Sequence, residues 1–104
     1  MQVITRNARQ AFITGGDYHN TNTDVHTSTI TGESSLRLWG NLIAWTSNNR
    51  TRLNITMAGW DTRTTADRLR ALGVDIYHKR GDLYINGRPA TADEIIDLPM
   101  AGTI

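Results

Sequence analysis

Three histidines, ten acidic residues, ten arginines and one lysine, Lys79, are the groups in this 104-residue chain that could carry charge or proton chemistry, and cysteine is absent. A metal centre would need two or more imidazoles or carboxylates on one face, as at i and i+4 of a helix or i and i+2 of a strand. His19, His26 and His78 show no such spacing; His19 and His26 only flank a polar loop that contains Asp24. Nucleophilic catalysis would need a Gly-x-Ser-x-Gly elbow or a Cys-His arrangement, and neither is written here. Gly15-Gly16 lacks the Lys-Ser/Thr that completes a phosphate loop. The expectation is a non-enzymatic protein with no metal and no cofactor.

The arginines are more informative. Residues 36–70 carry six Arg against two Asp, whereas residues 92–104 carry three acids and no base, so a formal net charge of only +1 conceals a basic centre. Arg presents a planar fork that suits carboxylates, phosphates and aromatic faces better than the ammonium of Lys. Arg37, Arg50, Arg52 and Arg63 are interleaved with Trp39, Trp45 and Trp60. Single-stranded nucleic acid is held by such a combination, each stacked base contributing roughly 1 to 3 kcal/mol. Trp and Arg also dominate the hot spots of protein interfaces. With one Phe in the chain, Trp45 and Trp60 are expected to fill core or half-core volume. Trp39 shares strand parity with Arg37 and is the expected exposed ring. The predicted contact set is therefore Arg37, Trp39, Arg50, Arg52 and Arg63.

The elements that position these residues can be read from periodicity. Ile4, Ala8, Ala11 and Phe12 recur at helical spacing until Gly15-Gly16 stops the run. Residues 17–24 read as a polar loop. Residues 25–31 and the long β-prone run 36–46 read as a hairpin turning at Gly32-Glu33, with a bulge at Gly40-Asn41 that changes the inward parity. After a turn at Ser47-Asn48-Asn49-Arg50, Leu53, Ile55 and Met57 alternate with polar residues as a strand with one buried face. Thr64 and Asp67 make a capping-box-like start for a helix whose apolar stripe is Ala66, Leu69 and Leu72, closed by Gly73. A second hairpin turns at Arg80-Gly81-Asp82. Thr91-Ala92-Asp93-Glu94 reads as a capping box opening a short helix that Pro99 ends. The fold class is α+β: one small domain over residues 1–104, an antiparallel sheet of about five strands, and two or three short helices.

Size and composition bound the function. A chain of 11.6 kDa buries roughly 60 to 68% of its unfolded surface, enough for a thin core and not for a large multi-substrate enzyme. The N-terminus lacks the basic start and apolar run of a signal peptide. No stretch approaches the ~20 apolar residues of a membrane span. A cytosolic protein without membrane contact is expected.

The run Leu38-Trp39-Gly40-Asn41-Leu42-Ile43-Ala44, with Gly59-Trp60-Asp61-Thr62-Arg63-Thr64-Thr65 and Arg68-Leu69 further on, resembles a family of small proteins encoded by tailed bacteriophages. Those commonly read Leu-His-Gly-Asn-x-Ile-Ala and then Gly-Trp-x-Thr/Ser-x-Thr-Thr-x-x-Arg-Leu-Asn. Ala11-Phe12, Asn22-Thr23-Asp24-Val25 and the Gly73 to Gly87 hairpin extend the likeness over roughly residues 7–88. Trp39 stands where that family usually has His, and Arg70 where it usually has Asn. The resemblance implies a setting, the cytoplasm of an infected bacterial cell, and with it a stoichiometric inhibitor of a host or defence protein, of the anti-CRISPR or host-takeover kind. Direct nucleic-acid binding by the Arg/Trp surface is the alternative expectation. Nucleotide sequestration and a minor place in the virion are further ones.

Overall fold

The computed structural model describes residues 3–100. Helix α1 (Val3–Thr14) is followed by strands β1 (Tyr18–His19), β2 (Thr23–Thr27), β3 (Ser34–Leu38), β4 (Asn41–Ser47) and β5 (Arg52–Ile55). Helix α2 (Arg63–Arg70) and strands β6 (Ile76–Lys79), β7 (Asp82–Ile85), β8 (Arg88–Pro89) and β9 (Ile96–Pro99) complete the chain. The class is α+β, and every strand pair is antiparallel. The strands form a six-stranded sheet in the order β1-β2-β3-β4-β5-β9 and a small sheet β6-β7-β8.

Period-two alternation divides the large sheet into two faces. Val25, Leu36, Ala44, Leu53 and Ile55 point inward, where they meet Ala8, Ala11 and Phe12 of α1 and Ala66 and Leu69 of α2 in one buried cluster. Leu72, Val74, Ile76, Leu83 and Ile85 extend that cluster beneath the small sheet. Both helices therefore lie on one side of the large sheet. Its other side carries His19, Asp24, His26, Arg37, Trp45, Asn54, Arg52 and Asp97, all exposed or half-buried.

The described residues form nine strands in two sheets where the sequence reading expects one sheet of about five, and five local features differ as well. The 36–46 run is two strands, because Trp39 (φ 50°) and Gly40 (φ 78°) form a two-residue turn between the paired Leu38 and Asn41. Two positive φ values match the right-handed twist of a tight hairpin. The parity change is present, but its register shift falls between Leu36 and Arg37, where Ile43 and Ala44 are both buried. Helix α2 is capped by Thr62, whose hydroxyl accepts from the Thr65 N–H at 3.2 Å, rather than by Thr64. Gly73 (φ 88°) ends that turn, with Val74 N–H reaching back to the Leu69 carbonyl.

The expected third helix is replaced by a turn and a strand. Thr91 N–H donates to Glu94 Oε1 and Glu94 N–H to the Thr91 carbonyl, so the box closes one turn. The chain then enters β9, where Leu98 faces Leu53 and Ile96 faces Ile55. Pairing with the edge of β5 lets Ile96 and Leu98 pack against the core cluster, which wins over a short helix. Residues 17–24, expected as loop, hold β1 and the start of β2.

Candidate interaction surface

The register brings three connections to one rim of the large sheet. These are the 20–22 turn, the Trp39-Gly40 turn and the segment from Met57 to Asp61. Trp39 N–H donates to the Asn22 carbonyl at 2.7 Å, and the Thr56 N–H to the Ile43 carbonyl at 2.8 Å, which extends the β4/β5 ladder towards this rim. Trp39 is 56% exposed and Trp60 55%. The sequence reading expects Trp60 to fill core or half-core volume, and the structure contradicts it. Trp60 is instead carried outward in the turn after Met57, to whose carbonyl its N–H donates, because Met57 already fills the last inward position of that strand. Trp45 is half-buried on the open sheet face, opposite Ser35 and Asn54.

A buried guanidinium holds this rim from beneath. Arg68, 3% exposed, donates through Nη1 to Thr5 Oγ1 and through Nε to Thr23 Oγ1, tying α1 and β2 to α2. Thr23 Oγ1 in turn meets Asn22 Oδ1, next to the carbonyl that receives Trp39. Burial pushes the Arg68 pKa below its ordinary value, with the nearby Asp67 charge acting in the opposite sense.

The predicted contact residues do not form one patch. Arg37 is exposed on the open face beside the tryptophan rim, and its Nη1 approaches only the Gly40 carbonyl, at 3.5 Å. Arg63, with a side chain 94% exposed, stands at the start of α2 after Trp60, 4.0 Å from Asp67. Arg50 lies at the opposite rim and faces inward. Its guanidinium donates to the carbonyls of Phe12 (2.6 Å), Ile13 (3.1 Å) and Gly32 (3.0 Å) and to Ser34 Oγ (2.7 Å). Arg52 also belongs to that far rim, where its Nε donates to Asp97 Oδ1 at 2.9 Å. Thus Arg37, Trp39 and Arg63 gather with Trp60 at one rim, while Arg50 and Arg52 are at the other.

Two polar clusters lie outside the predicted contact set, one of which, around His19, Asp24 and His26, the sequence reading sets aside for want of ligand spacing. Next to Trp60, a cleft of about 330 Å³ is lined by Asp61, Thr62, Arg63, Ala66, Arg70 and His78. His78 Nε2 lies 2.8 and 2.9 Å from the two Asp61 oxygens, and Arg70 is held by the Ile76 carbonyl and Asp67. Thr62, the hydroxyl of this cleft, serves as the helix cap. The second cluster is Asp17, His19, Asp24 and His26 on the open face of β1 and β2. Its signal was two Asp-x-His triplets, each an i, i+2 pair.

These features define a small antiparallel α+β domain that displays aromatic and cationic side chains at one rim and has no helix, among the described residues, long and apolar enough to cross a membrane. The chain belongs to the Kyanoviridae Gp96 protein family, whose model matches residues 1–99. It is therefore a bacteriophage protein. No curated protein and no solved structure matches the chain significantly.

Proposed function

We propose that the protein acts without catalysis, by stoichiometric binding to a bacterial host or defence protein in the infected cell, with Trp39 as the anchor of the contact. The carrying observation is the conformation of Trp39. Both central positions of its turn have positive φ, a geometry that favours Asn-Gly and disfavours a bulky L-residue by roughly 1 to 2 kcal/mol. Trp39 as a whole is 56% exposed, so packing within the domain offsets that cost only in part. An exposed Trp in a strained turn, at the same end of the sheet as a second exposed Trp and the lightly engaged Arg37 and Arg63, supplies residue types that dominate interface hot spots.

Trp39→Asn separates this reading from a structural role. The variant should fold at least as well as the parent and lose the partner that the parent captures from bacterial lysate. A captured set that is identical for parent and variant, or an empty one, would sink the proposal.

Direct nucleic-acid binding is the second reading. It is supported by the open sheet face, where Arg37, Trp45 and Arg52 share one side of three strands. The internal engagement of Arg50 and the Arg52–Asp97 pair weaken it, since they remove two of the four cations from a common groove. Binding to single strands should then fall steeply with salt, and Arg37→Ala should lower that slope by about one contact.

A further inference from the structure

The two Asp-x-His triplets occupy one side of the β1/β2 ladder. His19 pairs across the ladder with Asp24, and Tyr18 with Val25. The same register sets Asp17 beside His26, whose Nδ1 lies 3.7 Å from Asp17 Oδ1. His19 Nδ1 is turned to Asp24 Oδ1. That Asp24 oxygen is buried and, among the described residues, finds no hydrogen-bond donor of proper geometry. One Asp17 oxygen accepts from the Thr27 N–H at 2.8 Å, which fixes the carboxylate on this face. A cleft of about 480 Å³ is lined by these four residues with Tyr18 and Val25.

We propose that Asp17, His19, Asp24 and His26 form a surface site for a divalent transition-metal ion of the zinc class. Cross-strand Cβ atoms lie about 5 Å apart and same-face neighbours along a strand about 6.6 Å apart, so the centre of the four is about 4 Å from each Cβ. That distance suits an imidazole or carboxylate making a bond of about 2.0 to 2.2 Å to the ion. Two imidazoles with two carboxylates favour zinc over magnesium, which takes oxygen ligands and water. As they stand, the side chains close on each other in pairs, and among the described residues no three converge on one point. Loading the site requires rotation of side chains that are 87% (His19), 38% (Asp24), 73% (His26) and 70% (Asp17) exposed, with no movement of the strands. Arg37, the cross-strand neighbour of Asp24, has its guanidinium turned towards the Gly40 carbonyl.

The test is a titration of the untagged, metal-free full chain with zinc sulfate, followed by calorimetry and by the ring resonances of the histidines. One saturating equivalent is expected, with the His19 and His26 resonances shifting and those of His78 unmoved. The combined His19→Ala and His26→Ala variant, its fold checked by circular dichroism, should bind at least about tenfold more weakly. The proposal is overturned if binding does not saturate, if His78 is the ring that shifts, or if the folded double variant binds as the parent does. The resonances of the parent decide the matter even if the double variant fails to fold.

Discussion

The two rims of the large sheet use the same materials to opposite ends. Each has a hairpin turn with residues in the left-handed region, Trp39 and Gly40 at one and Asn48, Asn49 and Arg50 at the other. Arg50 turns its side chain inward and satisfies four acceptors from α1, the 28–32 loop and β3. Two of them are carbonyls in the last turn of α1, where a cation also meets the negative end of the helix dipole. Trp39 has a comparable backbone cost and is 56% exposed. One rim is thus closed by its cation and serves stability. The other is held from beneath by Arg68 and presents its large side chains outward.

Substitutions at the two rims should therefore separate stability from binding. Arg50→Ala should have the largest effect, lowering unfolding stability by about 2 to 4 kcal/mol in urea melts, since charged hydrogen bonds to half-buried carbonyls are lost together. The folded fraction should still capture the partner. Arg68→Ala should follow at about 2 to 3 kcal/mol, because it leaves a cavity and two buried hydroxyls without their donor. It should also weaken binding, through the 20–22 turn that receives Trp39. Trp39→Asn should weaken binding by at least ~30-fold, as expected for a hot spot, while the thermal midpoint holds or rises. Equal loss of stability and binding in that variant would erase the distinction between the rims. Arg52→Ala should matter least, by less than about 1 kcal/mol, because its partner Asp97 is on the surface.

Helices and hairpins with strong local signals were legible in the sequence. The stripe of Ala8, Ala11 and Phe12, the Gly73 cap and the alternation of Leu53, Ile55 and Met57 each report one element's own period, and the structure has those elements. What could not be read locally was decided by distant partners. Ile96 and Leu98 are compatible with a helix until β5 offers them an edge, at Ile55 and Leu53, 41 and 45 residues earlier in the chain. Arg50 reads as a surface cation until α1, 37 residues away, places the Ile13 carbonyl beside it. Trp60 reads as core until Met57 is seen to occupy the inward position. Of the contact set, the exposure of Trp39 is read from strand parity with Arg37, whereas the tight turn that displays it reads as a bulge. Their separation from Arg50 and Arg52 follows from the strand ends they occupy, since the 39–40 turn joins β3 to β4 at one rim and the 48–51 turn joins β4 to β5 at the other.

The margins of the large sheet have a consequence for how copies of the protein meet. One margin is β1, only two residues long, and the other is β9, which ends at Pro99, a residue with no amide hydrogen. Short strands and prolines at a border oppose the strand-by-strand recruitment of further chains that leads to fibres. A broad open sheet face can thus stand in solvent at high copy number without the border beside it seeding polymerisation.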